Sequence, residues 1–387
     1  MIFSLEALQA EKGDSLILHF GSPKAPRFIV IDGGPATVYE ESLKPRLEEL
    51  HSRWKREDDE KLDIEMLMVS HIDDDHIRGI LDWLTDLTNS AELPYNIQTI
   101  WHNSFDDVLG NASDELRSRL AAVTQDALDS NEDREGLQPL SAAVLASVNQ
   151  GRKLRSLARQ IGIPLNRGFR GLVSSLKEGK AVLKIGAGLQ LTVLCPTMER
   201  LEELHKEWEK TIRKLDKAGP AEIAAFVDQS VANLSSIVVL AEVDDKRMLL
   251  TGDARGDHIL EGLEGAGLME DGTIHVDLFK IPHHGSNRNS ALKLFQKITA
   301  DHYVISANGE HENPDPEVFE WITKARGTSQ YTIHLTNKKL FDPKKKKDVG
   351  AAMKQALEEN PAPGRKVVFR KEGDLTIRID LKDQVTY

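Results

Sequence analysis

The sequence predicts an α/β fold in which helices cover the sheets. Two observations predict it: strand signals alternate with helix signals along both halves of the chain, and no short internal repeat is present. The composition is typical of a globular protein, because 40% of the 387 residues are hydrophobic and 29% are charged. We expect a single domain over residues 1–387, with a helical insertion at residues 106–180.

The first third of the chain predicts strands that lead into helices. Short apolar runs at 15–19 and 27–31 are separated by Gly and Pro, which is typical of a β-hairpin. Leucines at helical spacing predict a helix over 42–55, and the run at 64–69 is typical of a buried strand. A charged turn follows that strand, and a second helix is predicted over 77–87.

The stretch from 106 to 161 is helical in character. Leu116, Leu120 and Val123 fall on one helical face, and so do Leu154 and Leu157 further on. We interpret this stretch as a helical insertion and not as a separate domain. A strand is then predicted over 189–194, followed by a charged amphipathic helix over 199–217.

The second half of the chain predicts further strands. The runs at 236–240 and 248–250 form a strand pair that turns at Asp244 and Asp245. A strand at 274–281 ends in the segment Pro-His-His-Gly-Ser. Three more strands are predicted near 303–306, 331–335 and 375–379.

Charge and cysteine content exclude several classes of protein. With 50 Lys and Arg against 62 Asp and Glu, the formal net charge is −12, which excludes a histone-like coat on nucleic acid but not a nuclease. The single cysteine, Cys195, excludes an intrachain disulfide and a Cys-rich zinc site. The N-terminus lacks the features of a signal peptide, and no apolar run approaches the ~20 residues that span a bilayer. We expect a cytoplasmic protein without membrane association.

The densest set of candidate metal ligands follows the predicted strand at 64–69. His71, Asp73, Asp74, Asp75 and His76 lie on one short loop. Imidazole nitrogen and carboxylate oxygen together suit divalent zinc, manganese or iron, and a cation relieves the repulsion between adjacent carboxylates. The alternative is a solvated acidic turn that caps the next helix.

Two further loops carry Asp or His directly after a predicted strand. Asp253 follows the strand at 248–250, and His283 and His284 follow the strand at 274–281. Each loop alone has an ordinary explanation, as a turn or as a surface His pair. Three such loops, all able to emerge at the same edge of the sheets, together favour a metal site.

These segments resemble the motifs of the metallo-β-lactamase superfamily. The loop at 71–76 is similar to its H-x-[HD]-x-D-H signature, and the Ile-Asp-Gly-Gly segment at 31–34 resembles its first motif. Residues 249–253 resemble the strand that carries its metal-bridging Asp. Residues 277–286 are similar to the D-x-L-K-x-x-H-H-G-S run of the ComEC-like branch, with Phe279 in place of a Leu. The resemblance covers residues 1 to about 102 and about 188 to the C-terminus.

The resemblance implies an αββα sandwich with a metal site along one edge of its two sheets. It implies one or two divalent metal ions, zinc or manganese. One metal position would be held by His71 and Asp73, and the other by Asp75 and His76.

The remaining implied ligands come from other loops. Asp253 would bridge the two metal positions, and Asp32 would support the metal loop from behind. Either His283 or His284 would complete the ligand set, and the other would contact a phosphate or donate a proton.

Two departures from the family pattern affect the metal. Asp73 stands where many relatives carry a second His, and Asn233 occupies the plausible place of the family's third-motif His. An amide oxygen ligates more weakly than imidazole, which opposes full occupancy of both metal positions. Oxygen in place of nitrogen makes manganese a competitor of zinc.

The residue set supports metal-assisted hydrolysis. Water activated by a metal is a nucleophile at neutral pH that Asp75 or Asp253 can orient, while Lys280, His284 and Ser286 can stabilise charge on an attacked oxygen. By similarity to the ComEC-like branch, we expect a phosphodiesterase, foremost a nuclease acting on DNA or RNA. One alternative is a hydrolase of small phosphoesters or cyclic nucleotides. The other is a metal-stabilised interaction protein with degenerate activity, whose partner binds the helical insertion.

Secondary candidates lie outside these motifs. His102 and His311 could line the pocket, and the lysine run at 344–347 is more typical of a solvated loop. A basic cluster near the end of the insertion predicts a lip that a polyanionic substrate would contact. The alternative is that these side chains pair with acidic residues and solvate a helix. The cluster consists of Arg152, Lys153, Arg155, Arg159, Arg167 and Arg170.

Overall fold

A computed structural model describes residues 1–54, 61–90, 93–104, 138–176, 181–202 and 236–385, excluding the side chains of 138–148. In this part of the chain, two large sheets, a two-stranded ribbon and several helices form a mixed α/β fold. The α/β class expected from the sequence is therefore confirmed.

The first sheet combines the N-terminal third of the chain with one strand from near its C-terminal end. Its seven strands are β1 (Ile2–Leu8), β2 (Leu16–Ser22), β3 (Ala25–Ile31), β4 (Leu62–Met68), β5 (Tyr95–Ile97), β6 (Ile100–Trp101) and β17 (Thr376–Asp380). They lie in the order β17-β1-β2-β3-β4-β5, and β6 also pairs with β4. From β17 to β3 the neighbours are antiparallel, whereas β4 runs parallel to β3. The predicted hairpin is formed by β2 and β3.

The second sheet is built from the second half of the chain. Its eight strands are β7 (Ala181–Gly186), β8 (Leu189–Cys195), β9 (Val238–Val243), β10 (Lys246–Leu250), β11 (Ile274–Lys280), β12 (Ile298–Ile305), β13 (Tyr331–Leu335) and β16 (Arg365–Phe369). The order is β16-β13-β12-β11-β10-β9-β8-β7. Strands from β10 to β16 are parallel along this order, and those from β7 to β10 are antiparallel. A separate ribbon pairs β14 (Phe341–Asp342) with β15 (Lys347–Asp348).

Helices cover the outer faces of both sheets. They are α1 (Lys44–Trp54), α2 (Asp74–Asn89), α3 (Gln138–Ile161), α4 (Gly256–Gly265), α5 (Leu292–Lys297), α6 (Pro316–Arg326) and α7 (Val349–Glu359). Apolar residues of α1, α2 and α3 form one core with the first sheet, and those of α4 to α7 form another with the second sheet. A third core joins the inner faces of the two sheets. Each sheet is therefore buried on both faces.

The predicted insertion is described in part. Its helix α3 buries Leu154 and Leu157, which lie on the face that the sequence predicts. Residues 105–137 are outside the described residues, as is the predicted charged helix from residue 203 onward. A single domain with an insertion at 106–180 stays a prediction. None of the helices in the described ranges is both long and apolar enough to cross a bilayer.

Strands β1, β7 and β16 are not among the strands that the sequence analysis predicts. Apolar and polar residues alternate over 3–7, but every residue of β1 is buried, including the polar Ser4 and Glu6. Glu6 is accommodated there because the Arg46 guanidinium donates to its two carboxylate oxygens over 2.8 and 2.6 Å. Strands β7 and β16 end the second sheet and are largely exposed, so they carry a weak hydrophobic signal.

Two glycines allow the end of β3 to pack against α2. A Cβ added to Gly79 would lie 2.0 Å from the carbonyl oxygen of Gly33, which is far inside van der Waals contact. The close approach lets Gly33 N–H donate to the His76 carbonyl over 2.7 Å, and Gly79 N–H donate to the Gly34 carbonyl over 3.0 Å. These bonds hold the first turn of α2, which carries His76, against the end of β3.

We expect Gly79→Ala to lower the free energy of unfolding by about 1–3 kcal/mol, because the new methyl group collides with backbone that cannot rotate away. Gly265→Ala is the matched control, since a Cβ there meets no atom within 4 Å and also lies in a helix. Urea unfolding of both variants measures the difference. Equal stability of the two variants would contradict the close approach.

Candidate metal centre

The loops singled out in the sequence meet at one edge of the two sheets. Asp32 follows β3 and the 71–76 loop follows β4, while Asp253 follows β10 and the pair His283–His284 follows β11. In each sheet the two strands concerned are parallel, so their carboxyl ends lie side by side. The two sheets face each other, and this arrangement brings both pairs of strand ends to a common edge.

Asp32 organises the loop that follows β4. Its Oδ1 accepts a hydrogen bond from the Ser70 amide over 2.7 Å, and its Oδ2 accepts one from the Ser70 hydroxyl over 2.6 Å. His76 donates its Nδ1–H to the same Oδ2 over 2.8 Å. That bond fixes the tautomer of His76 and leaves Nε2 free to face the centre. Asp32 thus supports the metal loop from behind, as the family resemblance implies.

The carboxylate of Asp253 lies among imidazoles from two loops. Its Oδ1 is 3.3 Å from His76 Nε2, and its Oδ2 is 3.7 Å from His71 Nε2 and 3.5 Å from His284 Nε2. His76 Nε2 and His284 Nε2 are themselves 3.3 Å apart. Asp253 therefore contacts histidines of both the 71–76 loop and the loop after β11.

Asp73 and Asp75 approach different imidazoles of this arrangement. Asp73 Oδ2 is 3.6 Å from His71 Nε2, and Asp75 Oδ2 is 3.6 Å from His284 Nε2. Between them, Asp74 points outward and accepts a hydrogen bond from Gln150 Nε2 of α3 over 2.7 Å. The two flanking carboxylates thus face different imidazoles, whereas the middle one contacts the insertion.

The two adjacent histidines after β11 differ in position. His284 is buried with Nε2 in the centre, whereas the His283 side chain is 32% exposed and its Nδ1 is 3.8 Å from Asp253 Oδ2. Both residues have positive φ, of 50° and 54°, which is uncommon for side chains with a Cβ. The turn is held by His283 N–H donating to Gly252 O over 3.1 Å.

Asp14 is a member of the cluster that the sequence motifs do not reveal. Its Oδ1 is 3.5 Å from His284 Nδ1, and its Oδ2 accepts from Lys280 Nζ over 2.5 Å. Asp14 comes just before β2, which is antiparallel to β3, so the start of β2 lies beside the end of β3. The antiparallel pairing of Leu16 with Ile31 is the signal that could have located it.

Lys280 lies behind the centre and not at its mouth. Its side chain is completely buried, and Nζ donates both to Asp14 and to the Ile281 carbonyl over 3.0 Å. It therefore lies where it can support the site but not reach a substrate oxygen. Ser286 is also buried, and its hydroxyl accepts from the Arg288 amide over 3.3 Å.

Burial and opposite charges act against each other in the cluster. Burial lowers the pKa of His284, but the Asp253 and Asp14 carboxylates outweigh it and raise the pKa to about 10. Burial likewise opposes ionisation of Asp253, yet four surrounding imidazoles hold the pKa of that carboxyl well below its usual range. Positive charge therefore compensates the buried carboxylates, and a bound cation would supply the same compensation.

The residues present fit a divalent metal ion. Asp14, His76, Asp253 and His284 each offer one ligand atom within 4.8 Å of the others, and so do His71, Asp75 and His76 as a second group. His71 Nε2 and Asp253 Oδ1 are buried without a hydrogen-bond partner in the described chain, as expected of atoms reserved for a ligand. Mixed nitrogen and oxygen donors suit zinc and manganese.

Other residues named from the sequence lie elsewhere or outside the description. Asn233 is among residues 203–235, which the structure does not describe. His102 is buried beside Gly151 of α3, and burial together with the Arg155 charge lowers its pKa to about 3. His311 lies in the turn Glu310–Glu312, and Lys345 and Lys347 of the lysine run pair with Glu312.

Comparison with known proteins adds little to this geometry. No protein-family model matches the chain, and no curated protein matches it. A solved structure from Parabacteroides distasonis, described as a "Putative metal-dependent hydrolase", is 10% identical and aligns over 86% of this chain and 98% of its own, with a TM-score of 0.33. The CmlA beta-hydroxylase, in a mutant form, is 9% identical over 97% of this chain and 54% of its own, with a TM-score of 0.37. A protein of unknown function from Enterococcus faecalis is 11% identical over 97% of this chain and 71% of its own, with a TM-score of 0.29.

We expect His284→Ala to weaken binding of Zn²⁺ or Mn²⁺ by at least about tenfold, because Nε2 of His284 faces three other candidate ligand atoms. His283→Ala is the matched control and should retain affinity within about threefold, since this side chain lies at the open side of the cluster. Competition with a chromogenic chelator measures both affinities. A larger loss in the His283 variant would reverse the assignment.

Proposed function

We propose that this protein is a metal-dependent hydrolase of the metallo-β-lactamase fold that cleaves phosphodiester bonds in DNA or RNA. The observation that carries the proposal is that the Asp253 carboxylate contacts His71, His76 and His284. A carboxylate in contact with histidines from two different loops is the arrangement that the family resemblance implies for a bridging Asp. The helix-covered pair of sheets, with the cluster at one edge, supports the same fold.

Each side chain of the cluster has a defined task in such a site. By the family resemblance, His71 and Asp73 would hold one cation, and Asp75 and His76 would hold the other. In the structure the ligand atoms of His71, Asp75 and His76 form one group, and those of Asp14, His76, Asp253 and His284 form another. A divalent cation in such a site lowers the pKa of a coordinated water to about 7 and neutralises charge on the attacked group. Zinc and manganese both fit the donor set.

Residues outside the ligand set orient it. Asp32 and Ser70 fix the ring of His76, while Lys280 fixes Asp14 behind His284. His283, half-buried at the open side of Asp253, is available to donate a hydrogen bond to a substrate oxygen.

A polynucleotide substrate is favoured by helix α3, which borders the 71–76 loop. Gln150 of α3 contacts Asp74, and a Cβ on Gly151 would lie 3.8 Å from Ile72 of that loop. Arg152, Arg155 and Arg159 follow on successive turns of the same helix. Basic side chains beside the cluster would attract a polyanion to a chain whose net charge is −12.

A hydrolase of small phosphoesters or cyclic nucleotides is the second candidate. One observation favours it: Arg155 is half-buried and donates through Nη1 to the Ser104 hydroxyl over 2.9 Å. Part of the basic cluster thus stabilises the insertion, which reduces the positive charge available to a long substrate.

Removal of metal with EDTA should abolish phosphodiesterase activity, and Mn²⁺ should restore it at least as well as Zn²⁺, because Asp73 supplies oxygen where relatives supply nitrogen. Asp75→Ala should lower kcat/KM by at least about 100-fold. Asp74→Ala is the matched control and should change it less than about threefold, since Asp74 points away from the cluster. Assays on a chromogenic phosphodiester and on single-stranded DNA and RNA measure both. Full activity in metal-free protein would end the proposal.

Charge reversal on α3 distinguishes the two candidates. We expect the double variant Arg152→Glu/Arg159→Glu to weaken cleavage of single-stranded DNA by roughly tenfold or more, and to spare a small chromogenic phosphodiester. Lys366→Glu/Lys371→Glu is the control. Both lysines are exposed, and Lys366 lies in β16 at the edge of the second sheet, with Lys371 just after that strand. Equal loss on both substrates would indicate a folding defect, and no loss on either would favour the small-ester hydrolase.

A further inference from the structure

We propose that a cavity beside the Asp253 loop binds a backbone phosphate of the polynucleotide, next to the phosphodiester bond that is cut. This inference rests on the proposed function and extends it to a substrate subsite. The cavity has a volume of about 370 Å³, within the range of small-molecule sites. Residues that line it and carry the argument are Arg255, Arg288, Asn289, Ser290, Lys293 and Lys297.

The cavity adjoins the cluster through the backbone. Asn289 donates its Nδ2–H to the carbonyl of Asp253 over 3.0 Å, and its own carbonyl accepts from Gly256 N–H over 2.7 Å. Arg255 is two residues from Asp253, and Arg288 is two residues from Ser286. Both loops that bring side chains to the cluster therefore continue directly into the wall of the cavity.

The charge that remains in the cavity after ion pairing is positive. Arg255 forms an ion pair with Asp257, with an N–O distance of 2.9 Å, and Glu261 forms one with Arg200, with an N–O distance of 2.5 Å. The other charged side chains of the wall form no ion pair with any residue in the described ranges. These are Arg288, Lys293 and Lys297 on the positive side and Glu264 on the negative side.

An unsatisfied hydroxyl marks the cavity as a ligand site. Ser290 is 8% exposed, and its Oγ is buried without a hydrogen-bond partner in the described chain. Buried polar atoms are rarely left unpaired, and Ser290 lines the cavity, so its hydroxyl is a candidate donor to a group bound there. A phosphate fits, because its oxygens accept hydrogen bonds from a hydroxyl, a guanidinium and ammonium groups together.

The source of the phosphate follows from position. A chain that presents one phosphodiester to the cluster carries its next phosphate a few ångströms further along, and the cavity borders the cluster. Helix α3 borders the 71–76 loop, whereas the cavity borders the Asp253 loop. A polynucleotide bound at the cluster would therefore have basic groups next to two of the loops that form it. A free mononucleotide has the same phosphate chemistry and is separated from this by the test.

The test measures binding directly, on the metal-loaded protein. The probe is a fluorescein-labelled single-stranded DNA 12-mer with nuclease-resistant phosphorothioate linkages, titrated by anisotropy at several salt concentrations. Arg288→Gln and Lys293→Gln should each weaken binding and reduce the slope of log Kd against log salt by about 0.7. Ser290→Ala should weaken binding about three- to tenfold without changing the slope or the stability. Lys366→Gln, with the same loss of charge on exposed β16, should change neither.

The outcomes separate this inference from the proposed function. Wild-type protein that binds the 12-mer but cleaves no DNA or RNA with metal added contradicts the proposed function alone. Cleavage by the wild type, with Arg288, Lys293 and Ser290 variants that bind like the Lys366 control, overturns the subsite alone. The subsite would also be overturned if binding of a labelled mononucleotide depended on these residues and binding of the 12-mer did not, because the ligand would then be a free nucleotide.

Discussion

The arrangement of the centre depends on the hydrogen bonds that the Asp32 carboxylate accepts. It takes three hydrogen bonds, two from Ser70 and one from His76, and so joins the end of one strand to the loop after its parallel neighbour. A buried carboxylate is stable only when its acceptor sites are filled, so these bonds define one conformation of the loop. The glycine contact between Gly33 and Gly79 brings the same two segments within reach of each other. The orientation of His76 is thus determined before any ligand is considered.

A second buried pair, Asp14 with Lys280, joins the two sheets at the same edge. Asp14 precedes β2 of the first sheet and Lys280 ends β11 of the second, and both side chains are inaccessible to solvent. Removing either partner would leave the other charge buried and uncompensated, which costs about 3–5 kcal/mol. The pair therefore holds the strand ends that carry His76 and His284 at a constant separation. Geometry at the centre depends on the docking of the sheets as much as on the loops themselves.

The sequence predicts most of this centre because its side chains follow strands in short motifs. The hairpin, β4, β11 and the loops with His71, Asp253 and His284 are all local patterns in which apolar runs end in polar groups. The position of Asp14 in the cluster is not predicted, because Asp14 precedes a strand and only the antiparallel pairing of β2 with β3 brings it to the edge. The different positions of the His283 and His284 side chains could not be predicted either, since they depend on a turn with positive φ that side-chain type does not encode. In β1 the alternation over 3–7 is typical of a strand, but it does not indicate that Glu6 is buried and neutralised by Arg46.

The pairing of β1 with β17 has a consequence for synthesis of the chain on the ribosome. Leu5 lies opposite Ile379, so β1 acquires its outer neighbour only after the other strands of the two sheets have been translated. Contacts of such sequence separation form slowly, because a long loop must close before they contribute. Until then β1 presents one unpaired edge, which is a hazard for association with other nascent chains. The buried Asp14, His76, Asp253 and His284 are all translated before β17, so this His and Asp cluster can assemble while that edge is still open.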